Sequence, residues 1–173
     1  TRSLALAQAR SGVRAIVVAR RFGRGSSCVI EEQEGVAVAR VVDGPFSPFR
    51  RFLQTLRAPR LEAWLARIAA DFQPDIVHLQ HGMGLPVPAL ARLARRWPMV
   101  VTLHDYWWVC ANAQLYTSYD ERVCRGPRAW VNCGRCGLAR VRGRPLEVLA
   151  PAAAPFFGLR AGLLARLARD VGA

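Results

Sequence analysis

Four short apolar, largely β-branched runs constrain the fold of this chain more than any other feature: Val13–Ala19, Val36–Val42, Asp75–Leu79 and Met99–Leu103. Each has the length of a strand, and helical spacing fills much of the sequence between them. Residues 2–11 read as the end of a helix closed by Gly12 at a C′ position. Leu61, Trp64, Leu65 and Ile68 recur on one helical face. That helix should stop near Phe72-Gln73-Pro74, because a residue before proline avoids the α region. Pro86–Arg96 is a further helix, with Pro86 tolerated in its first turn. Gly23, Gly25, Ser26 and Ser27 mark a loop, and Asp43-Gly44-Pro45 and Ser47-Pro48 mark turns. Runs that stay apolar throughout belong to strands buried on both faces. Their alternation with helices predicts an α/β fold, a Rossmann-like, doubly wound parallel sheet.

The pattern changes after residue 105. Residues 1–105 form the expected Rossmann-like domain. Residues 106–137 crowd aromatics, Asn, Gly and four Cys, and read as an irregular Cys-rich insertion. Residues 138–173 return to helical spacing as a basic segment, with Leu159, Leu163, Leu164 and Leu167 beside Arg160, Arg166 and Arg169. No uncharged apolar run reaches the roughly 18 residues of a membrane span. The longest, Val148–Leu159, contains Pro151 and Pro155. The chain opens on Thr1 rather than Met, with too few residues before Arg10 for a signal peptide, so it reads as an internal fragment.

Every basic residue is Arg, and the formal charge is +13. Without Lys there is no Walker A phosphate loop and no Schiff-base lysine. Such a charge raises nucleic acid or an anionic membrane as partners. The Lys-free bias itself is compositional, and the excess is uneven. Residues 1–121 hold 15 Arg and 10 acids, whereas residues 122–169 hold 10 Arg against Glu147 alone.

The three histidines all sit at strand ends: His78 and His81 in Asp75-Ile-Val-His-Leu-Gln-His81, and His104 closing Val100-Val-Thr-Leu-His104. Ligands of open α/β sheets bind at the carboxyl ends of the strands, and successive strands that each deliver an imidazole there aim both at one crevice. His78 between Val77 and Leu79 equally fits a satisfied core position. Asp105, Tyr106 and Trp107 add a polar and aromatic mix suited to a sugar or planar ligand. Gly82 lets backbone approach a ligand or simply forms a turn.

Pro74-Asp-Ile-Val-His-Leu-Gln-His-Gly82, followed by a helix and Val100-Val-Thr-Leu-His-Asp-Tyr-Trp107, resembles the N-terminal domain of family 4 glycosyltransferases of the GT-B fold. Cys110, Gln114-Leu115, Cys124-Arg-Gly-Pro127 and Cys133-Gly-Arg-Cys136 resemble a subset with a cysteine-bearing insertion. The resemblance covers most of the chain and implies a domain truncated at both ends. It implies the acceptor-side half of a retaining glycosyltransferase of hexosyltransferase type, working in bacterial envelope biosynthesis and inactive alone. A sugar would pass from a UDP- or GDP-sugar to a cell-envelope, polysaccharide or lipid-linked acceptor. His104 matches the histidine that positions the donor sugar, and His78 and His81 match residues lining the acceptor cleft. The Gly-rich first loop and the C-terminal donor-binding domain of the family are not within these residues. No Arg stands at a clear strand end to steady the leaving diphosphate, so that cation is expected in the donor-binding domain.

Cys110, Cys124, Cys133 and Cys136 follow the spacing C-x13-C-x8-C-x2-C, with Cys28 apart. A C-x2-C knuckle with Gly134 inside lets two thiolates bind one ion, and two further Cys complete a tetrahedral structural zinc set. Two disulfides and four free thiols are the rival states. Nucleotide-sugar enzymes work in the cytoplasm, where disulfides are disfavoured. The basic segment, Arg140, Arg142, Arg144, Arg160, Arg166 and Arg169 with a leucine face, fits either a solvated helix or one lying at the inner face of the plasma membrane. Two other classes compete: a zinc-containing nucleic-acid-binding module, and a non-catalytic peripheral membrane or partner-binding domain. The size of the βαβ portion argues against nucleic acid.

Overall fold

A computed structural model describes residues 2–44, 48–139 and 149–172. The turns at Pro45 and Ser47 lie outside the described residues, as do Arg140, Arg142, Arg144 and Glu147. The elements run α1 (Arg2–Arg10), β1 (Ile16–Arg21), β2 (Ser26–Gln33), β3 (Val36–Asp43), α2 (Pro48–Leu56), α3 (Pro59–Phe72), β4 (Val77–Leu79), α4 (Val87–Arg96), β5 (Met99–Val101), a 3-10 turn over Tyr106–Trp108, α5 (Val131–Leu138) and α6 (Ala150–Gly172). The chain is a mixed α/β fold with parallel strand pairs, of which β4–α4–β5 is a βαβ unit, whereas β2 rather than a helix lies between β1 and β3 in the chain. β1 runs parallel to β3, and β4 runs parallel to β5.

Three features depart from the expected sheet. First, the described strands form two pieces, β1-β3-β2 and β4-β5, with no ladder between them among the described residues. Second, the stretch read as a Gly-Ser loop continues into β2, antiparallel to β3. Gln33 faces Val36 across Glu34 and Gly35, whose φ angles of 53° and 81° are those of a two-residue type I′ hairpin turn. Every β2 side chain except Cys28 is exposed, and three glutamates and glutamines line its end, a composition that suits an edge strand. Third, only β3 approaches burial on both faces. Val36, Ala39 and Val41 are buried, whereas Val18 and Ala19 of β1 are exposed.

The helical stretch before residue 72 is two helices. Ala58, with φ −146°, breaks the chain ahead of Pro59, and its N–H donates to Glu62 Oε1 at 2.8 Å. Arg92 of α4 donates to the other Glu62 oxygen at 2.6 Å and ties α3 to α4. α3 ends where Pro74 requires, with Gln73 in the left-handed region.

Two apolar clusters hold these layers. One joins Ala39 and Val41 of β3 to Leu61, Leu65 and Ile68 of α3. The other joins Leu79 of β4, Val87 and Leu90 of α4, Met99 of β5, Trp107, and Leu164 and Leu167 of α6. Full burial of a leucine such as Leu167 stabilises by roughly 1.5–3 kcal/mol. Leu164 and Leu167 of α6 are therefore turned inward, with Leu163 half-buried, while Leu159, Arg166 and Arg169 face solvent. Among the described residues no helix is long and apolar enough to cross a membrane.

Arg20 clasps the two strand pairs at their carboxyl ends. Its guanidinium donates to the carbonyl of Asp43 at the end of β3, to Gln54 of α2 and to the carbonyl of Gly84 beyond β4. Its ion pair with Asp43, at 3.8 Å, is buried. The Arg20 and Arg51 guanidiniums both lie over the Phe22 ring, 4.4 and 4.3 Å from its centroid.

Candidate functional site at the carboxyl ends of the strands

β4 and β5 deliver a connected polar cluster at their carboxyl ends. His78 lies mid-strand and is exposed, so it is not a core residue. Its Nε2 stands 2.8 Å from Thr102 Oγ1 and 2.8 Å from the Gln80 amide nitrogen. The Gln80 carbonyl oxygen stands 3.3 Å from His104 Nε2. A carbonyl can only accept, so it is the Nε2–H tautomer of His104 that makes this hydrogen bond, leaving Nδ1 as the acceptor of the ring. Gln80 thus joins the two histidines on neighbouring strands. Sequence alone singles out neither Gln80 nor Thr102. The usable signal was spacing: Gln80 and His78 lie two apart, on one face of the strand.

The neighbouring residues divide between site and scaffold. His81 Nδ1 lies 3.7 Å from Asp105 Oδ2. The other Asp105 oxygen accepts the Trp107 N–H at 2.8 Å, capping the 3-10 turn. Tyr106 is exposed and available to a ligand. Trp107 is not: it is 2% exposed, packed among Leu79, Val87 and Leu90, with the Arg160 guanidinium 4.8 Å above its ring. The expected ligand-stacking role of Trp107 is therefore replaced by a core role, because its indole fills the space beneath the strand ends. Gly82 is corrected in the same way. The atom brought close to it is the Trp107 ring, which a Cβ at residue 82 would meet at 2.5 Å.

A second concavity of about 560 Å³ opens at the carboxyl ends of β1 and β3. Arg24, Arg57 and Arg60 line it beside Gly23, Gly25 and Gly44. Among the described residues none of these three arginines takes part in an ion pair, and Asp43, which also lines the cavity, pairs with Arg20. The chain does place arginines at a strand end, although sequence spacing showed none there: α2 and α3 bring Arg57 and Arg60 from far along the chain.

The cysteine region is more ordered than expected. Cys133 and Cys136 lie on α5 rather than on an irregular knuckle. Gly134 serves the helix packing, since a Cβ there would meet the Ala150 carbonyl of α6 at 2.5 Å. Cys110, Cys124, Cys133 and Cys136 line one small cavity, with Phe157 of α6 on its wall. All five cysteines are free thiols. Burial pushes the Cys133 thiol up to about 11, helped by Cys124 and Cys110, and burial also raises Cys136. Among the described residues, no three His, Cys, Asp or Glu side chains stand in a metal-ligating constellation.

A family model described as "Glycosyl transferase 4-like domain" matches residues 1–153. No curated protein and no solved structure matches the chain at a significant level.

Proposed function

The chain belongs to the glycosyl transferase 4-like family, and from that premise we propose that it forms the acceptor-side half of a retaining glycosyltransferase. The donor is a UDP- or GDP-hexose, and the acceptor is a polysaccharide, lipid-linked or other cell-envelope molecule. The observation that carries this reading is the His78–Gln80–His104 chain at the ends of two parallel strands. Sugar transfer passes through an oxocarbenium-like state while charge builds on the departing diphosphate. An imidazole held by one nitrogen and open at the other can accept a sugar hydroxyl and hold the ring in one orientation against that leaving group. His104 has this arrangement. His78, His81 and Tyr106 face the acceptor side, and Asp105 orients His81.

The arginine-lined cavity suits an anionic portion of the acceptor, such as a lipid-linked diphosphate. Its three guanidiniums favour negative charge and its glycines let backbone come close. The diphosphate of the donor is assigned to a donor-binding domain, without which the chain is expected to be inactive. The work is cytoplasmic, with the exposed Arg166 and Arg169 toward an anionic membrane surface. Family membership weighs against the nucleic-acid-binding and non-catalytic readings.

The test is His104→Ala in the full-length protein, assayed by transfer and by nucleotide-sugar hydrolysis. Turnover should fall by about 10²–10⁴-fold, the range of a lost positioned imidazole. The melting temperature should hold, because His104 is exposed. Unchanged turnover would remove His104 from the mechanism.

A further inference from the structure

We propose that a basic cavity on the cysteine-bearing insertion binds an acidic oligosaccharide, one whose sugars carry carboxylates singly along the chain. This hairpin cavity, of about 900 Å³, lies between the loop closed by the Tyr116–Val123 bridge and the start of α5. It is separate from the concavity of Arg24, Arg57 and Arg60, and its size is in the upper part of the range that bound small molecules occupy. Arg122, Arg125, Arg128 and Arg135 line it. Among the described residues its one acidic lining residue is Asp120, which the Thr117 hydroxyl already engages. Four arginines against one aspartate leave the wall at +3. Glu121 belongs to the same loop but does not line the cavity.

The backbone under these arginines is held, whereas their side chains are not. The Thr117 N–H donates to the Arg122 carbonyl at 2.8 Å, and the Arg122 N–H returns to Thr117 Oγ1 at 2.9 Å. Asn132 of α5 donates to the Gly126 carbonyl at 2.9 Å and accepts the Arg128 N–H at 2.8 Å. Gly126, with φ of 102°, permits the turn between Arg125 and Arg128. Arg122, Arg125 and Arg128 are exposed, and among the described residues no hydrogen bond or ion pair occupies their guanidiniums. Arg135 lies over the Tyr119 ring, 4.2 Å from its centroid. A concave wall of one sign concentrates anions, and a guanidinium takes a carboxylate through two parallel hydrogen bonds.

The rest of the wall narrows the ligand. Arg122, Arg125 and Arg128 stand on separate stretches of backbone, which suits charges spaced along a chain better than one compact diphosphate. The apolar lining is aliphatic: Val123 is 77% exposed and Val131 38%. Such side chains pack against the C–H face of a sugar ring. Nucleic-acid bases call for open aromatic faces, and the aromatic ring here, Tyr119, carries Arg135 on one face. A membrane surface calls for an apolar helix face turned outward, whereas this wall is hollow and basic. That the occupant is a saccharide rests on the glycosyltransferase reading. The insertion follows directly on His104, and the Tyr106 N–H donates to the Ala113 carbonyl at 3.3 Å, tying it to the turn beside the histidines. The hairpin cavity holds acceptor sugars beyond the one that reacts.

The test titrates oligogalacturonate, with a carboxylate on each sugar, into the full-length protein without donor, read by calorimetry. Binding should saturate and weaken several-fold as salt rises from about 50 to about 300 mM. The methyl-esterified, uncharged oligomer should bind at least about 10-fold more weakly. Arg122→Ala with Arg125→Ala should weaken oligogalacturonate by about 10–100-fold, the worth of lost charged hydrogen bonds. The melting temperature should hold, since only the backbones of these residues are used in the fold. Arg10→Ala with Arg96→Ala removes the same charge elsewhere and should change binding by less than about 2-fold, because salt screens distant charges. Absence of binding, equal binding of the esterified oligomer, or wild-type affinity in the Arg122 and Arg125 variant would each overturn the site. Tighter binding of phosphatidylglycerol vesicles or of single-stranded DNA, dependent on the same two arginines, would overturn the saccharide in favour of a lipid surface or nucleic acid. The titration involves no turnover, so its failure leaves the glycosyltransferase reading standing, and unchanged transfer in His104→Ala would leave the measured binding standing.

Discussion

Gly82→Ala separates packing from ligand binding at the strand end. The added Cβ would lie 2.5, 2.9 and 3.0 Å from three carbons of the Trp107 ring. Cβ atoms do not tolerate the shortest of these, so the ring or the backbone must move. The ring has little room. It is 2% exposed, meets Trp108 edge-on at 5.4 Å and lies under Arg160 at 4.8 Å. Overpacking a well-filled core costs about 1–3 kcal/mol, and three contacts on a rigid indole place the cost in the upper part. At roughly 2–4 °C per kcal/mol for a chain of this size, the melting temperature should drop by about 5–10 °C. Circular dichroism melts would read it. Gly162→Ala is the control: nothing lies within 4 Å of its Cβ, and a helical Gly→Ala change should stabilise by up to about 1 kcal/mol. In a double-mutant cycle with Trp107→Leu the clash disappears, so the pair should lose at least about 1 kcal/mol less than the two changes added. A Gly82→Ala protein melting within about 1 °C of wild type would refute the packing assignment and return Gly82 to the ligand side.

Gln80→Leu in the full-length enzyme should lower kcat by about 2–10-fold, the worth of a typical hydrogen bond, with little change in melting temperature. Equal turnover would exclude Gln80 as the group that positions His104. With its thiols reduced, burial raises Cys133 from 9.0 to about 11 on folding. A raised pKa means the folded state holds the proton more tightly, so this stabilisation is complete below pH 9 and is lost as pH climbs through 11. Arg160, drawn down by burial to about 10, acts in the opposite sense only above that pH. Urea midpoints between pH 8.5 and 10 should therefore fall in wild type and stay flatter in Cys133→Ser. The exposed Arg166 and Arg169 should make vesicle flotation depend on anionic lipid, and equal flotation with neutral lipid would count against a membrane-facing role.

Where sequence and structure agree, the residue types act locally. Pro74 stops α3, apolar runs make β3, β4 and β5, and histidines at the ends of short strands reach the ligand edge. Where they part, the deciding partner lies far along the chain. Gln80 matters because β5 places His104 beside it, and Trp107 looks like a stacking surface until α6 covers it. Arg160 reads as one more basic residue on a helix face, yet α6 turns inward at that position. β2 is hard to read from sequence because, as a solvent-exposed edge strand, it holds only the short run Cys28-Val29-Ile30 among polar residues. Its one local signal was Glu34-Gly35, a pair that accepts the positive φ of a tight hairpin.

The Arg20 clasp bears on how an acceptor is measured. Among the described residues no strand ladder joins the two pieces at their carboxyl ends; the Arg20 guanidinium ties them there, while Glu62–Arg92 and the packing of Leu85 and Ala89 against the β3/α3 cluster hold them together below. The histidines stand on one piece and the arginine-lined cavity on the other. An acceptor that touches both spans the Arg20 clasp, so its length is gauged across a side-chain joint rather than along one sheet. Such binding should slow amide exchange in β1 and β4 together. Arg20→Met should uncouple that response, leaving each strand pair to open at its own rate.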